Sequence, residues 1–404
     1  MWSFRGLVLP CWLISRLLFF VPLLISVQLR QPGALVERLR QWDAAHYLQI
    51  VEQGYGGDNF AFFPLFPFTT KALAGLLQLA PLPVALLLAN LTFLLALAVL
   101  HRLSRLCCGE RAAQATVLLT CFNPMSIFAA IPYTESFYLL LTSLTLLLLV
   151  PAQLNAPRLA LLGFLTSATR PTGVVILPSL LIGFARRRRP LAAVLVSLGT
   201  LAGLAAVALI GLRLSGDPLA FLHAQQAWEV RPGFNLSGLP FWLERFSKVL
   251  LGPVNTRASA LIDAVYPAQF AAVLGLAAGA LALRRRRPAL SFALSVVAFL
   301  AYWLLAGMSG LDLLVILGGL LLCGWGLGRL PLEIWCFAAA SLAAYLLKQH
   351  TISLERHVFA TAPLLVLHGA WFSTHPRWLR LLVGFGAVLL VIYALRYANG
   401  DWIG

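Results

Sequence analysis

Residues 158–189 read RLALLGFLTSATRPTGVVILPSLLIGFARRRR, an apolar run with arginine at both ends. Arginine beside a membrane-spanning segment marks its cytoplasmic end. Two cytoplasmic ends are incompatible with a single crossing. The stretch therefore predicts a hairpin of two short helical pieces, broken at Thr169-Arg170-Pro171-Thr172-Gly173. Broken backbone at membrane depth persists only where protein or a watery cavity supplies hydrogen bonds. That sets Arg170 beside a cavity within a helical bundle.

The rest of the chain fits such a bundle. Of its 404 residues 60% are hydrophobic and 11% charged, which excludes an ordinary soluble fold. Apolar runs recur at about 7–29, 81–100, 112–131, 137–151, 190–214, 263–283, 288–307, 311–328, 332–347, 357–373 and 378–397. Most are long enough for a helix to cross a hydrocarbon core of roughly 30 Å. With the hairpin this predicts an all-α polytopic membrane protein of about thirteen segments, with its N-terminus in the cytoplasm and its C-terminus outside. MWSFR and the first run resemble a signal peptide. Arg16 interrupts the run and no small-residue cleavage site follows, so a retained first helix is expected. Arg16 either faces the bundle interior or snorkels to the interface.

The net charge of +16 is blocked rather than spread. Arg186–Arg189 and Arg284–Arg287 flank apolar spans as topological anchors, so nucleic-acid binding is not implied. On this topology sixteen arginines lie inside, and only Glu110 and Glu333 of the fourteen carboxylates join them. Chemistry thus belongs to the exoplasmic face. Only Lys71, Lys248 and Lys348 are lysines, which hints at a GC-rich genome and a bacterial plasma membrane, with the ER membrane as the eukaryotic equivalent. The six cysteines lie in or beside apolar spans with neither a disulfide framework nor zinc-ligand spacing; Cys107 and Cys108 are free thiols or acylation sites.

Two outer loops stand out, at 30–80 and 215–262, within what reads as a single membrane domain over 1–404. The first holds QWDAAHYLQIVEQGYGGDNFAFFPLFPF (41–68), in which Asp43, His46, Tyr47 and Ile50 share one helical face. Residues 60–79 read as an interfacial, amphipathic stretch. The second carries Trp228, Trp242 and the sequon Asn235-Leu236-Ser237. PYTES (132–136) and KQHTISLERH (348–357) complete the outer face.

This ensemble offers one well-placed aspartate, several arginines and many aromatics. Asp43, His46 and Glu52 make a weak metal signature, and no metal is expected. Transfer of a sugar from a lipid-linked phosphate needs one base for the acceptor hydroxyl and positive charge for the leaving phosphate. Glycoside hydrolysis would normally need two opposed carboxylates, so the inventory fits transfer better. Each residue also has a plainer reading. Asp43 suits an N-cap before Ala44, His46 a structural hydrogen bond, and Trp42, Tyr47 and Tyr55 an interfacial belt. Glu135 suits a solvated turn, and Arg356 a surface pair with Glu355.

The quoted residues resemble the PIG-V family, the second mannosyltransferase of GPI-anchor assembly, with its prokaryotic relatives. WDAAHYLQIVEQGY with NFAFFPLFP is similar to the family's WDA-x-H-[FY] … GY … FAFFP-x-FP pattern. NPMSIFAAIPYTES (123–136), ATRPTGVV (168–175) and GDPLAFLHAQQAW (216–228) resemble later blocks. The third block reads RPTG where RSNG is expected, and in a bacterium the acceptor could not be a GPI precursor. The resemblance implies a GT-C-type helical bundle and inverting transfer of a hexose, mannose by the family likeness, from a polyprenyl-phosphate donor. It implies no cofactor beyond that donor. The partners implied are membrane lipids, the donor, and a glycolipid, glycan or protein acceptor. Asp43 takes the base position, and Trp42, His46, Tyr47, Tyr133, Glu135, Arg170 and Arg356 become substrate contacts, with Arg170 or Arg356 on the donor phosphate. A polytopic transporter or lipid flippase is the alternative, though no second copy of the hairpin is found.

Overall fold

A computed structural model describes residues 4–227, 238–348 and 350–403. Trp228 and the Asn235 sequon fall outside the described residues. Among those described the secondary structure is helical throughout. Six helices are long and apolar enough to cross a membrane: Gly6–Arg30, Pro81–Cys108, Pro190–Ser215, Val265–Leu283, Pro288–Gly326 and Pro376–Asn399. Shorter apolar helices fill in between them, giving a multi-pass membrane protein. Proline opens several of these helices, where its missing N–H costs nothing.

The hairpin is present. Ala156–Ser167 runs as a helix, Pro171–Ile176 is a 3-10 turn, and Leu177–Ala185 returns. Both ends meet at one level, where Arg189 Nη1 donates to the Leu154 carbonyl at 2.9 Å. Arg187 donates to the carbonyls of Leu149, Pro151 and Ala152, satisfying acceptors that the end of the Glu135–Leu149 helix leaves open. Glu333 pairs with Arg186 and Arg187 at 3.1 and 3.3 Å.

One expected span differs from its predicted form. Residues 112–131 are the Glu110–Cys121 helix followed by the 3-10 turn Pro124–Ala129. Twelve helical residues reach only about 18 Å at 1.5 Å each, short of a crossing. Asn123 ends the helix by accepting the Met125 N–H at 2.8 Å, a local bond that Pro124 makes easier than continued helix. The spans at 288–307 and 311–328 are two helical stretches within Pro288–Gly326 that meet at a kink at Gly307, where φ is 56°.

The chain divides into two compact units. One comprises Met1–Gly233, Leu322–Ala344 and Ser353–Gly404. Its closest packing sets the Ala156–Ser167 helix on Pro190–Ser215 through small residues. A Cβ at Gly199 would lie 2.6 Å from the Ala160 carbonyl oxygen, and one at Gly203 2.3 Å from that of Phe164. Glycines four apart let two backbones touch, and van der Waals contact replaces the hydrophobic drive that lipid removes. Arg16 faces this unit's interior and does not snorkel. It is buried, donates to the Ser126 carbonyl at 3.1 Å, and lies 4.8 Å from the Phe93 ring centre.

The other unit comprises Phe234–Leu321 and Tyr345–Ile352. Arg245 from the Gly238–Leu251 helix donates to Ser309 and Thr351 at 2.7 and 2.8 Å and lies 3.4 Å from Asp312. Asp312, counted above with the outer carboxylates, is buried within the Pro288–Gly326 helix. Tyr302 donates to the Gly310 carbonyl across the Gly307 break, supplying a bond the kink exposes.

Gly173 sits where the hairpin break meets its own first arm: a Cβ there would lie 2.1 Å from the Thr166 carbonyl oxygen. Gly173→Ala is expected to destabilise by about 1–3 kcal/mol, as overpacking against backbone does. Gly75→Ala, on an open helical face, should leave the melting temperature in detergent unchanged or slightly raised.

Candidate active site

Four chain segments converge inside the first unit. Asp43 is the first residue of the Asp43–Gln53 helix, and Glu135 the first of Glu135–Leu149. A carboxylate in a first helical turn is stabilised by the unpaired N–H groups there. Arg170 precedes the 3-10 turn of the hairpin in extended conformation, and Arg356 lies on the short Leu354–Phe359 helix. Arg356 Nη1 donates to Asp43 Oδ2 at 2.7 Å. Its Nε lies 3.1 Å from Glu135 Oε1 but off the direction of the N–H, so this is an ion contact rather than a hydrogen bond. Arg170 Nη1 donates to the same Oε1 at 3.0 Å.

The result is an alternating row, Asp43, Arg356, Glu135, Arg170, with no net charge. Exposure falls steeply from Asp43 to Glu135. The Asp43 side chain is 25% exposed, those of Arg356 and Arg170 9%, and that of Glu135 1%. Only the aspartate opens to solvent. Its Oδ1 has no hydrogen bond among the described residues. Rings of Phe128 and Tyr133 each lie 5.2 Å from the Arg356 guanidinium, so the cation is held by aromatic faces as well as by anions. Burial alone would lower the pKa of Arg356. Asp43 and Glu135 together outweigh it and push the pKa up, so the charge is permanent.

Tyr133 closes the row beside Asp43, its hydroxyl accepting the Asp43 backbone N–H at 3.2 Å. Burial, reinforced by the Asp43 charge, pushes its phenol well up, so Tyr133 stays a neutral hydroxyl. Tyr47 is buried and bonds the Thr134 hydroxyl at 3.3 Å. His46 stacks on Phe62 with ring centres 4.5 Å apart. Burial lowers its pKa despite nearby Asp43 and Asp58, so near pH 7 it adds no charge to the site.

The capping reading of Asp43 does not hold. Trp42 occupies the N-cap position, no side chain caps the helix, and the Asp43 carboxylate turns to Arg356 instead. Trp42 takes φ 58°, a conformation that L residues reach only at some cost. Its ring, 41% exposed, meets Trp402 edge-on at 5.1 Å. Gln41 donates to the Tyr397 carbonyl at 2.9 Å, and Arg30 to Asn399 at 2.8 Å. Residues 397–402 thus hold the loop that bends into Asp43. Glu135 is no solvated turn residue, and Arg356 is no surface pair. Of the suggested metal set, Glu52 pairs with Arg40 on the exposed side. Among the described residues no three His, Cys, Asp or Glu side chains converge on one point.

Asp43, Tyr133, Glu135, Arg170 and Arg356, picked from sequence, therefore meet; Tyr47 flanks them, and Trp42 and His46 stand at the rim. Gln41, Phe128, Tyr397 and Trp402 were not expected. Aromatic residues near segment ends occur throughout this sequence, and nothing local distinguishes these.

Arg356→Ala leaves two carboxylates facing each other without their shared cation. Breaking a buried pair by removing one partner costs about 3–5 kcal/mol, reduced somewhat here by the partial exposure of Asp43. Thermal unfolding in detergent should show that loss, and Arg356→Lys, which cannot reach both anions with one ammonium, should recover only part of it.

The mannosyltransferase (PIG-V) family model matches residues 21–177. GPI alpha-1,6-mannosyltransferase 2 of Homo sapiens is 41% identical over 120 residues, and that of Mus musculus 40% over 119. Each alignment covers 27% of this chain and 24% of the relative, so the chain spans about a quarter of the length of the curated relatives it matches. Among solved structures, the oligosaccharyltransferase of Archaeoglobus fulgidus superposes over 95% of this chain and 52% of its own, at 15% identity and a TM-score of 0.41. Over residues 21–177, which carry Asp43, Tyr133, Glu135 and Arg170, the chain is similar in sequence to the mannosyltransferase (PIG-V) family.

Proposed function

We propose that this protein is a membrane glycosyltransferase that moves a hexose, mannose by its family likeness, from a polyprenyl-phosphate donor to an acceptor outside the cytoplasm. Asp43 is the general base. The observation that carries this reading is a single quarter-exposed carboxylate, fixed through one oxygen by Arg356 and open at the other.

The reaction follows from that arrangement. An acceptor hydroxyl attacks the anomeric carbon from the face opposite the phosphate, and its proton passes to Asp43 Oδ1. The bond between the anomeric carbon and the phosphate oxygen breaks, the phosphate keeps the electron pair, and the sugar's configuration inverts. The charged row assists in a timed way. It is neutral while Asp43 is ionised and gains a net positive charge once Asp43 takes the proton. That charge appears as the leaving phosphate becomes more negative, when stabilisation accelerates the step rather than merely tightening binding. Arg356, with its charge held permanently, is the cation nearest the base. Trp42, His46 and Tyr47 offer ring faces and a hydroxyl for sugar contacts, and Tyr133 fixes the backbone under Asp43.

The orientation proposed puts Asp43 on the exoplasmic side and Arg186–Arg189 in the cytoplasm, following the arginine distribution. A cysteine placed at exposed Arg188 should react with an impermeant maleimide only after the membrane is opened. Labelling in intact cells or right-side-out vesicles would reverse the orientation.

Membranes containing the protein and labelled polyprenyl-phospho-mannose should yield a mannosylated product identifiable by mass spectrometry. Asp43→Asn keeps the shape but not the basicity, and should cut transfer by about 100-fold or more at unchanged protein level. Undiminished transfer would remove Asp43 from the role.

A further inference from the structure

Glu135 and Arg170 lie in the matched sequence blocks and read there as substrate contacts, but their burial assigns them another task. The Glu135 side chain is the most enclosed of the charged row, at 1% exposure. Its Oε1 takes both arginines, and its Oε2 is sealed from solvent with no hydrogen-bond partner among the described residues. An ionised carboxylate so placed depends on nearby positive charge, because water cannot reach it. Arg170 is also buried. It sits at the hairpin break, its guanidinium lies 5.6 Å from the Tyr138 ring centre, and the Tyr138 hydroxyl donates to the Thr172 carbonyl at 3.1 Å. Asp43 alone in the row presents an open oxygen.

We propose that Glu135 and Arg170 form a positioning pair: Glu135 holds Arg356 in the orientation that presents Asp43, and Arg170 supplies the second cation on Glu135 Oε1, with neither touching substrate. The proposal rests on the reading of Asp43 as base. It assigns the donor phosphate to a cation other than Arg170. Among the described residues Tyr133, Tyr47, Tyr397 and His46 also interact with the Asp43 charge, and Arg356, Glu135 and Arg170 continue the charged row from it.

Charge balance supplies the test. Glu135→Gln leaves Arg356 and Arg170 enclosed with Asp43 as the row's one remaining carboxylate. Glu135→Gln with Arg170→Gln restores neutrality and leaves the Asp43–Arg356 pair complete. Wild type, both single variants and the double variant are compared by thermal unfolding in detergent, which needs no activity, and by the pH dependence of mannosyl transfer from polyprenyl-phospho-mannose. Glu135→Gln should have the lowest melting temperature, with the double variant above it. The extra positive charge opposes proton uptake by the base, so the acid limb of the Glu135→Gln pH–rate profile should move to lower pH by on the order of one unit. In the double variant that limb should return, and Arg170→Gln alone should leave the donor KM unchanged.

Melting shifts that simply add in the double variant would overturn the pairing. A donor KM raised several-fold by Arg170→Gln, with the acid limb unmoved in Glu135→Gln, would return both residues to substrate binding. A wild-type protein that transfers no sugar would overturn the reading of Asp43, and the melting comparison would still decide whether Glu135 and Arg170 act as one unit.

Discussion

The site depends on one guanidinium serving two carboxylates. Asp43 and Glu135 come from segments far apart in the chain, and bringing them together in a low-dielectric interior would be repulsive. Arg356 removes that repulsion by lying between them, 313 residues along from Asp43. Arg170 then balances the row from its buried end. Such networks contribute little net stability over an apolar core of the same shape, since desolvation offsets most of the attraction. What they secure is uniqueness: each member fits only where its neighbours are. That suits a site whose one open carboxylate oxygen has to face a particular direction.

The charged row also lies where the bundle's helices stop. Tyr133 and Glu135 follow the 3-10 turn Pro124–Ala129, and Arg170 precedes the turn Pro171–Ile176. Breaks inside an apolar bundle leave backbone groups that lipid cannot satisfy, and the protein supplies partners for them. Asn90 donates to the Ala130 carbonyl at 2.9 Å, and the Leu65 N–H to the Ala168 carbonyl at 3.1 Å. Tyr138 donates to Thr172. The same local polarity that makes the breaks tolerable makes room for the charges, so the scaffold's irregularity and its chemistry have one origin.

Much of this was legible in the sequence because it follows from side-chain charge and backbone geometry. Arginine at both ends of 158–189 required a hairpin, and Pro171 with Gly173 fixed its break. The helical face of Asp43, His46 and Tyr47 followed from spacing alone. The failures have equally local causes. Asp43 was a good N-cap candidate by residue type, but Trp42, held at φ 58°, takes that position and frees the carboxylate for Arg356. The span at 112–131 had enough apolar residues, yet Asn123-Pro124 ended its helix early. The meeting of Arg356 with Asp43, or of Trp402 with Trp42, depends on three-dimensional packing over more than 300 positions, for which periodicity carries no signal.

The separation of Asp43 from Arg356 has a consequence for biosynthesis. A chain made at about 5–20 residues per second takes about 15–60 s to extend across those 313 positions. Within that interval Asp43 is joined by Glu135 and then Arg170, while the cation that reconciles the two carboxylates has not been synthesised. Residues 397–402, which brace the loop before Asp43, arrive later still. The early segments therefore wait in the membrane with an unmatched acid, and the site can close only after Arg356 has been made.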